Sequence, residues 1–177
     1  MRFLTNDEVT AWLGARGLSR AGRAISFKSA EPVRFRVSIE EVASRVVALA
    51  DYLVPTWPDE QFHGALFLIT QRGVWGDFSE STGDTILRLM RTSYPEAGSL
   101  EERPGYLFGP NEIFELHAHL VTAMLFGWDA YVVVETKKYL IFVSHDSWVE
   151  VIADTQADLQ EARSRLSTWS KGEVQHP

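Results

Sequence analysis

The sequence predicts an α+β fold: a single domain over residues 1–170, built on a mainly antiparallel sheet of about five to six strands with helices packed on it. Three observations predict it. The strand-like segments come in groups, Ile25–Phe27 with Val33–Val37 and later Tyr131–Glu135, Tyr139–Val143 and Trp148–Ile152, instead of alternating singly with helices as a doubly wound parallel fold requires. Segments with apolar residues at helical spacing stand between and after these groups. A chain of 177 residues, 45% hydrophobic and 23% charged, also suits one core, since a domain of this size buries roughly 70% of the surface its unfolded chain exposes.

The elements follow in order. Thr5-Asn6-Asp7-Glu8 is a capping box, with the Thr5 hydroxyl placed to accept from the Glu8 N–H while the Glu8 carboxylate reaches back. Val9, Trp12 and Leu13 give that helix an apolar stripe, and Gly14 or Gly17 ends it. Ile25-Ser26-Phe27 and Val33-Arg34-Phe35-Arg36-Val37 alternate apolar with polar around Glu31-Pro32 and read as two half-buried strands, paired with each other. Ser38-Ile39-Glu40-Glu41 reads as a second capping box, for a helix with Val42, Val46, Leu49 and Leu53 on one face, closed by Pro55. Ala65–Ile69 is a buried-strand run, and Ile86, Leu87, Leu89 and Met90 mark a further helix. Tyr94–Gly109, with its prolines and glutamates, reads as an exposed connection. A helix then starts at Pro110 and stops at Gly127. The strands Tyr131–Glu135 and Tyr139–Val143, joined by Thr136-Lys137-Lys138, are apolar almost throughout and belong at the centre of the sheet. The last helix carries Leu159, Ala162, Leu166 and Trp169 on one side, and residues 171–177 form a frayed tail.

Composition narrows the function classes. The chain has no cysteine, which removes thiol nucleophiles, zinc ribbons, iron–sulfur ligation and disulfides together and suits a reducing compartment. Met1-Arg2-Phe3-Leu4 runs directly into polar residues, and no apolar run approaches the length of a membrane span, so a cytoplasmic location with no membrane association is expected. The net charge is −7 and uneven: residues 1–45 hold 8 Lys+Arg against 5 Asp+Glu, while the rest hold 9 against 19. Such a surface repels nucleic-acid phosphates and suits a basic or mixed-charge protein partner.

Five groups of residues invite a chemical reading. His117 and His119 lie about 200° apart on a helix and cannot share one metal ion. The helical wheel puts His117 with Ile113, Leu120 and Met124 on the apolar stripe, and His119 with Glu112 and Glu115 on the polar side. Glu60-Gln61-Phe62-His63 has the spacing that brings carboxylate and imidazole to one helix face, so Glu60, His63, Glu112, Glu115 and His119 form the candidate metal set of an alternative, metal-dependent enzyme. Ser144-His145-Asp146-Ser147 holds the three residue types of a hydrolase triad, but contiguous residues cannot align nucleophile, base and orienter, and these are residues that a tight turn favours. The loop Arg72–Glu80 has neither the spacing nor the charge of a phosphate cradle; it holds Trp75 between Gly73 and Gly76. Arg34 and Arg36 share the outer face of their strand, as guards of an edge or contacts for an acidic partner.

The expectation from sequence is therefore a non-enzymatic, cytoplasmic protein-binding domain, immunity-protein-like or an adaptor, with no cofactor. It would recognise another protein through Trp75, Asp77, Trp128, Asp129, His145 and Asp146, an acidic surface with loop aromatics. A small-ligand pocket between sheet and helices is the remaining alternative, and a homo-oligomer stays open.

Overall fold

The structure is a computed structural model that describes residues 1–28, 31–40, 42–54, 62–72, 82–94, 96–99, 101–167 and 169. In chain order its elements are β1 (Arg2–Leu4), α1 (Asn6–Gly14), β2 (Leu18–Ala21), β3 (Ala24–Phe27), β4 (Val33–Ser38), α2 (Ala43–Leu53) and β5 (Ala65–Gln71). There follow α3 (Thr82–Thr92), β6 (Gly105–Phe108), α4 (Ile113–Leu125), β7 (Asp129–Val134), β8 (Tyr139–Ser144), β9 (Trp148–Ala153) and α5 (Gln156–Arg165). Among the described residues, the strands form a 7-stranded sheet in the order β1-β6-β5-β7-β8-β9-β4 and a separate 2-stranded hairpin of β2 and β3. Every pairing is antiparallel. The α+β class holds; the sheet is wider than the sequence suggests.

Both faces of the sheet are covered, which is why β7 and β8 are apolar almost throughout. On one face Phe35, Val37, Phe67, Tyr106, Val132, Ile141 and Val151 pack with Leu49 and Leu53 of α2, Leu116 and Leu120 of α4 and Leu159 of α5. On the other, Leu66, Leu68, Tyr131, Val133, Leu140 and Ile152 pack under α1 and the β2–β3 hairpin, through Val9, Leu13, Leu18 and Ile25. Farther along this face, toward β4, Phe142 and Trp148 are only half-buried and Arg34 is exposed. No helix among the described residues is long and apolar enough to cross a membrane.

Local signals hold where a side chain satisfies the backbone. Thr5 caps α1 as expected, its Oγ accepting from the Glu8 N–H while Glu8 accepts from the Thr5 N–H at 2.8 Å. Gly127, at φ 58°, ends α4, and the Trp128 N–H returns to the Ala123 carbonyl at 2.9 Å in a Schellman turn. Four expectations fail. Ile25–Phe27 and Val33–Val37 are not partners, because β3 turns back on β2 while β4 crosses to β9. Ser38 does not cap α2: it is the last residue of β4, α2 starts from Val42 with no side-chain cap, and Glu40 instead holds Arg45 at 2.7 Å. Tyr94–Gly109 is not all exposed connection, since Gly105–Phe108 is β6, buried between β1 and β5. α4 begins at Ile113, with Pro110-Asn111-Glu112 standing outside the helix and Glu112 at its N-cap. The tail at 171–177 and Glu41 lie outside the described residues.

Candidate functional site

Of the candidate residues, Asp129, His145 and Asp146 meet at one end of the sheet, where α4 hands over to β7. The Schellman turn at Gly127 carries Trp128 into the core and sets Asp129 as the first residue of β7. β8 and β9 close beside it through His145-Asp146-Ser147, a loop between the paired Ser144 and Trp148. Ser147 takes the left-handed conformation at φ 60°, and its N–H reaches the Ser144 carbonyl at 3.2 Å, the geometry of a three-residue hairpin loop. The Ser144 Oγ accepts from the Asp146 N–H at 3.2 Å. Ser144–Ser147 is thus a turn, as its composition indicates.

Asp129 fixes that turn. Its Oδ1 accepts from the His145 backbone N–H at 2.9 Å and from the imidazole Nδ1 at 2.8 Å. The other ring nitrogen, Nε2, sits 3.4 Å from Asp146 Oδ1. Asp129, His145 and Asp146 therefore converge, the first nearly buried and the last with its side chain 60% exposed. An imidazole oriented by a carboxylate is half of a general-base device. Beyond Nε2 stands the Asp146 carboxylate, so the two acidic side chains bracket the ring and order the loop tip.

Trp128 does not join them at the surface. It is 1% exposed, in the core with Phe126 stacked 6.0 Å away, because the Schellman turn reverses the chain and points it inward. Trp75 and Asp77 follow β5 in the chain and lie outside the described residues, as does Glu60.

The remaining metal candidates do not converge. His63 is exposed before β5. Glu112 accepts from the Gly109 N–H at 2.8 Å and pairs with the amino group of Met1. Among the described residues, no group of three or more His, Asp or Glu side chains could hold a metal ion. The two histidines of α4 are also reversed from expectation. His119 is 2% exposed among the rings of Phe67, Tyr106 and Phe108, and its Nδ1 donates to the Glu115 carbonyl at 2.7 Å. No partner meets its Nε2 among the described residues. Burial, reinforced by the charge of Arg91, lowers its pKa to about 4 against the pull of Glu115. His117 faces α2 instead, its Nε2 2.9 Å from Asp51 Oδ1 in a geometry that is not a hydrogen bond.

One functional-looking group escapes the sequence reading. Glu150 of β9 is 5% exposed, and its carboxylate takes Arg36 Nε at 2.8 Å and Arg34 Nη1 at 3.1 Å from β4. Arg36 lies 4.0 Å over the Trp148 ring, which meets Phe142 edge-on at 5.4 Å. The signal was a lone carboxylate at the position alternating with the core residues Val149 and Val151, on the face that Arg34 and Arg36 share. Glu150→Gln should lower stability by about 2 kcal/mol, below the range for a fully buried pair because both guanidiniums reach water. Urea denaturation checks it, and a midpoint equal to that of the parent chain would show the carboxylate to be dispensable.

No family model matches the chain, and no curated protein or solved structure matches it either.

Proposed function

We propose that this chain is a cytoplasmic, non-enzymatic recognition domain that binds another protein, in the manner of an immunity protein or an adaptor. The observation that carries the reading is the β8–β9 turn. Asp129 ties down both the backbone and the ring of His145, so Asp146 is presented on a tip whose ordering is already complete before any partner arrives. A preorganised tip loses little entropy on binding. Trp148 and Arg36 flank it, the residue types that dominate binding energies at protein interfaces. A contiguous patch of this kind, acidic at the tip and aromatic with arginine at the side, suits a partner of mixed charge.

The test is affinity capture from extract of the native cells with the parent chain and with Asp146→Lys. Asp146 is exposed at a turn, so the variant should melt where the parent does. At least a tenfold weaker retention of the captured protein by the variant is expected. Equal retention, or nothing above background with the parent, overturns the reading.

A second reading, a small-ligand site, has one observation in its favour. At the opposite end of the sheet a cleft of about 330 Å³ opens between the β2–β3 hairpin and the β7–β8 turn, lined by Leu18, Phe27 and Val133 together with Arg16, Lys137 and Lys138. Its size is at the lower limit of small-molecule sites.

A further inference from the structure

β4 is the outer strand of the sheet, and its backbone shows which of its groups are unused. The Ile39 N–H donates to the Ser147 carbonyl at 2.8 Å, continuing the register that sets Val37 opposite Val149 and Phe35 opposite Val151. Backbone polar groups alternate sides along a strand, so Phe35 and Val37 spend theirs on β9, whereas Arg34, Arg36 and Ser38 turn their N–H and C=O groups outward. Among the described residues no strand pairs with that edge.

The side chains along the same edge are sorted by face. Phe35 and Val37 belong to the core shared with α5, while Arg34 and Arg36 lie on the other face, 48% and 32% exposed. Among the described residues, Glu150 supplies one carboxylate to two guanidiniums, so one positive charge is left over, and donor N–H groups on both arginines remain uncommitted.

We infer that β4 accepts an extended segment of a protein partner as an additional antiparallel strand, a segment in which acidic residues alternate with apolar ones. Acidic side chains at every second position fall beside Arg34 and Arg36, and the apolar residues between them extend the row of Phe35 and Val37. A second copy of this chain fits worse. A two-fold pairing that uses Arg34, Arg36 and Ser38 together sets Arg36 against its own copy, like charge on like charge. The inference rests on the recognition reading for its biological sense, and its surface, the outer edge of β4, shares Arg36 with the patch beside the β8–β9 turn.

The test uses three fluorescent peptides on the full chain: alternating Val and Glu, alternating Val and Lys, and the Val/Glu peptide N-methylated at alternate residues to remove the donors that would face β4. Anisotropy reports affinity, and amide hydrogen exchange reports protection at Arg34, Arg36 and Ser38. The Val/Glu peptide should bind at least tenfold more tightly than either of the others, weaken as salt is raised, and protect those three amides. Arg34→Gln should weaken it severalfold without unfolding the chain, whereas Asp146→Lys should leave it unchanged. Equal binding of the acidic and basic peptides, no binding of the acidic one, or binding without protection of those amides overturns the inference. Protection of the same amides by self-association, with no peptide present, overturns it in favour of a second copy. If Asp146→Lys abolishes capture of a native partner while that partner leaves the β4 amides unprotected, the edge assignment falls and the recognition reading stands.

Discussion

Lowering the pH from 7 to 4 is expected to remove about 3 kcal/mol of stability through His119 alone. The imidazole is neutral in the fold, where burial among three aromatic rings and the nearby Arg91 lower its pKa from 6.5 to about 4. Below pH 6.5 the unfolded chain binds a proton that the folded chain refuses, so stability falls with each step downward until the folded pKa is reached; above pH 6.5 the two states agree and this contribution is flat. His119→Phe keeps a ring among rings and removes the titration. Urea denaturation of both proteins at pH 7, 6, 5 and 4 isolates the effect, because the carboxylates common to both cancel in the difference. The gap between the two should move by about 3 kcal/mol in favour of the variant over that range. Parallel curves would mean that His119 is protonated in the fold or reached by water.

Gly64→Ala should cost about 4 kcal/mol, the largest loss expected from adding a single methyl group. Gly64 sits just before β5 at φ 150°, and its carbonyl accepts from the Glu135 N–H at 3.0 Å. A Cβ there would lie 2.7 Å from the Phe108 carbonyl oxygen and 3.3 Å from Glu135 Oε2. The obstacle is backbone of β6, which cannot rotate away, and the φ itself disfavours any L side chain. Gly105→Ala is the useful comparison: its Cβ would meet Val9 Cγ2 at 2.4 Å, a severe contact but one made by a side chain. Chemical denaturation should therefore rank Gly64→Ala below Gly105→Ala, and both below the parent. Equal midpoints for Gly64→Ala and the parent would require the β5–β6 junction to relax by more than its hydrogen bonds allow.

These two sites also show what a sequence can and cannot reveal. The β7, β8 and β9 strands were legible because long apolar runs meet turns made of Lys, Ser, His and Asp, so period and punctuation agree. β6 was not, since Gly-Tyr-Leu-Phe is four residues long and follows Pro104, and its status depends on β1 and β5 closing on both sides. The faces of the α4 histidines are not legible because Ile113–Leu125 is apolar around most of its circumference, which leaves the phase of the buried stripe undetermined; packing on Phe67 and Tyr106 chose Leu116, His119, Leu120 and Ala123. Asp129, His145 and Asp146 could be nominated as loop residues, but the two hydrogen bonds that lock them join residues 16 apart across β7 and β8, a distance no local pattern reports. Glu150 is silent in the sequence for a related reason: its partners on β4 precede it by more than a hundred positions.

That separation has a kinetic meaning. β1, β4 and β5 emerge from synthesis before the strands they pair with, and among the described residues only β2–β3, β7–β8 and β8–β9 are hairpins, β5 meeting β6 across the intervening α3. Chains whose strand pairings are mostly non-local fold slowly, because loop-closure entropy is spent before the contacts repay it. The arginines of β4 thus spend the interval before β9 exists as bare charges on an amphipathic segment, where they oppose its pairing with other nascent chains.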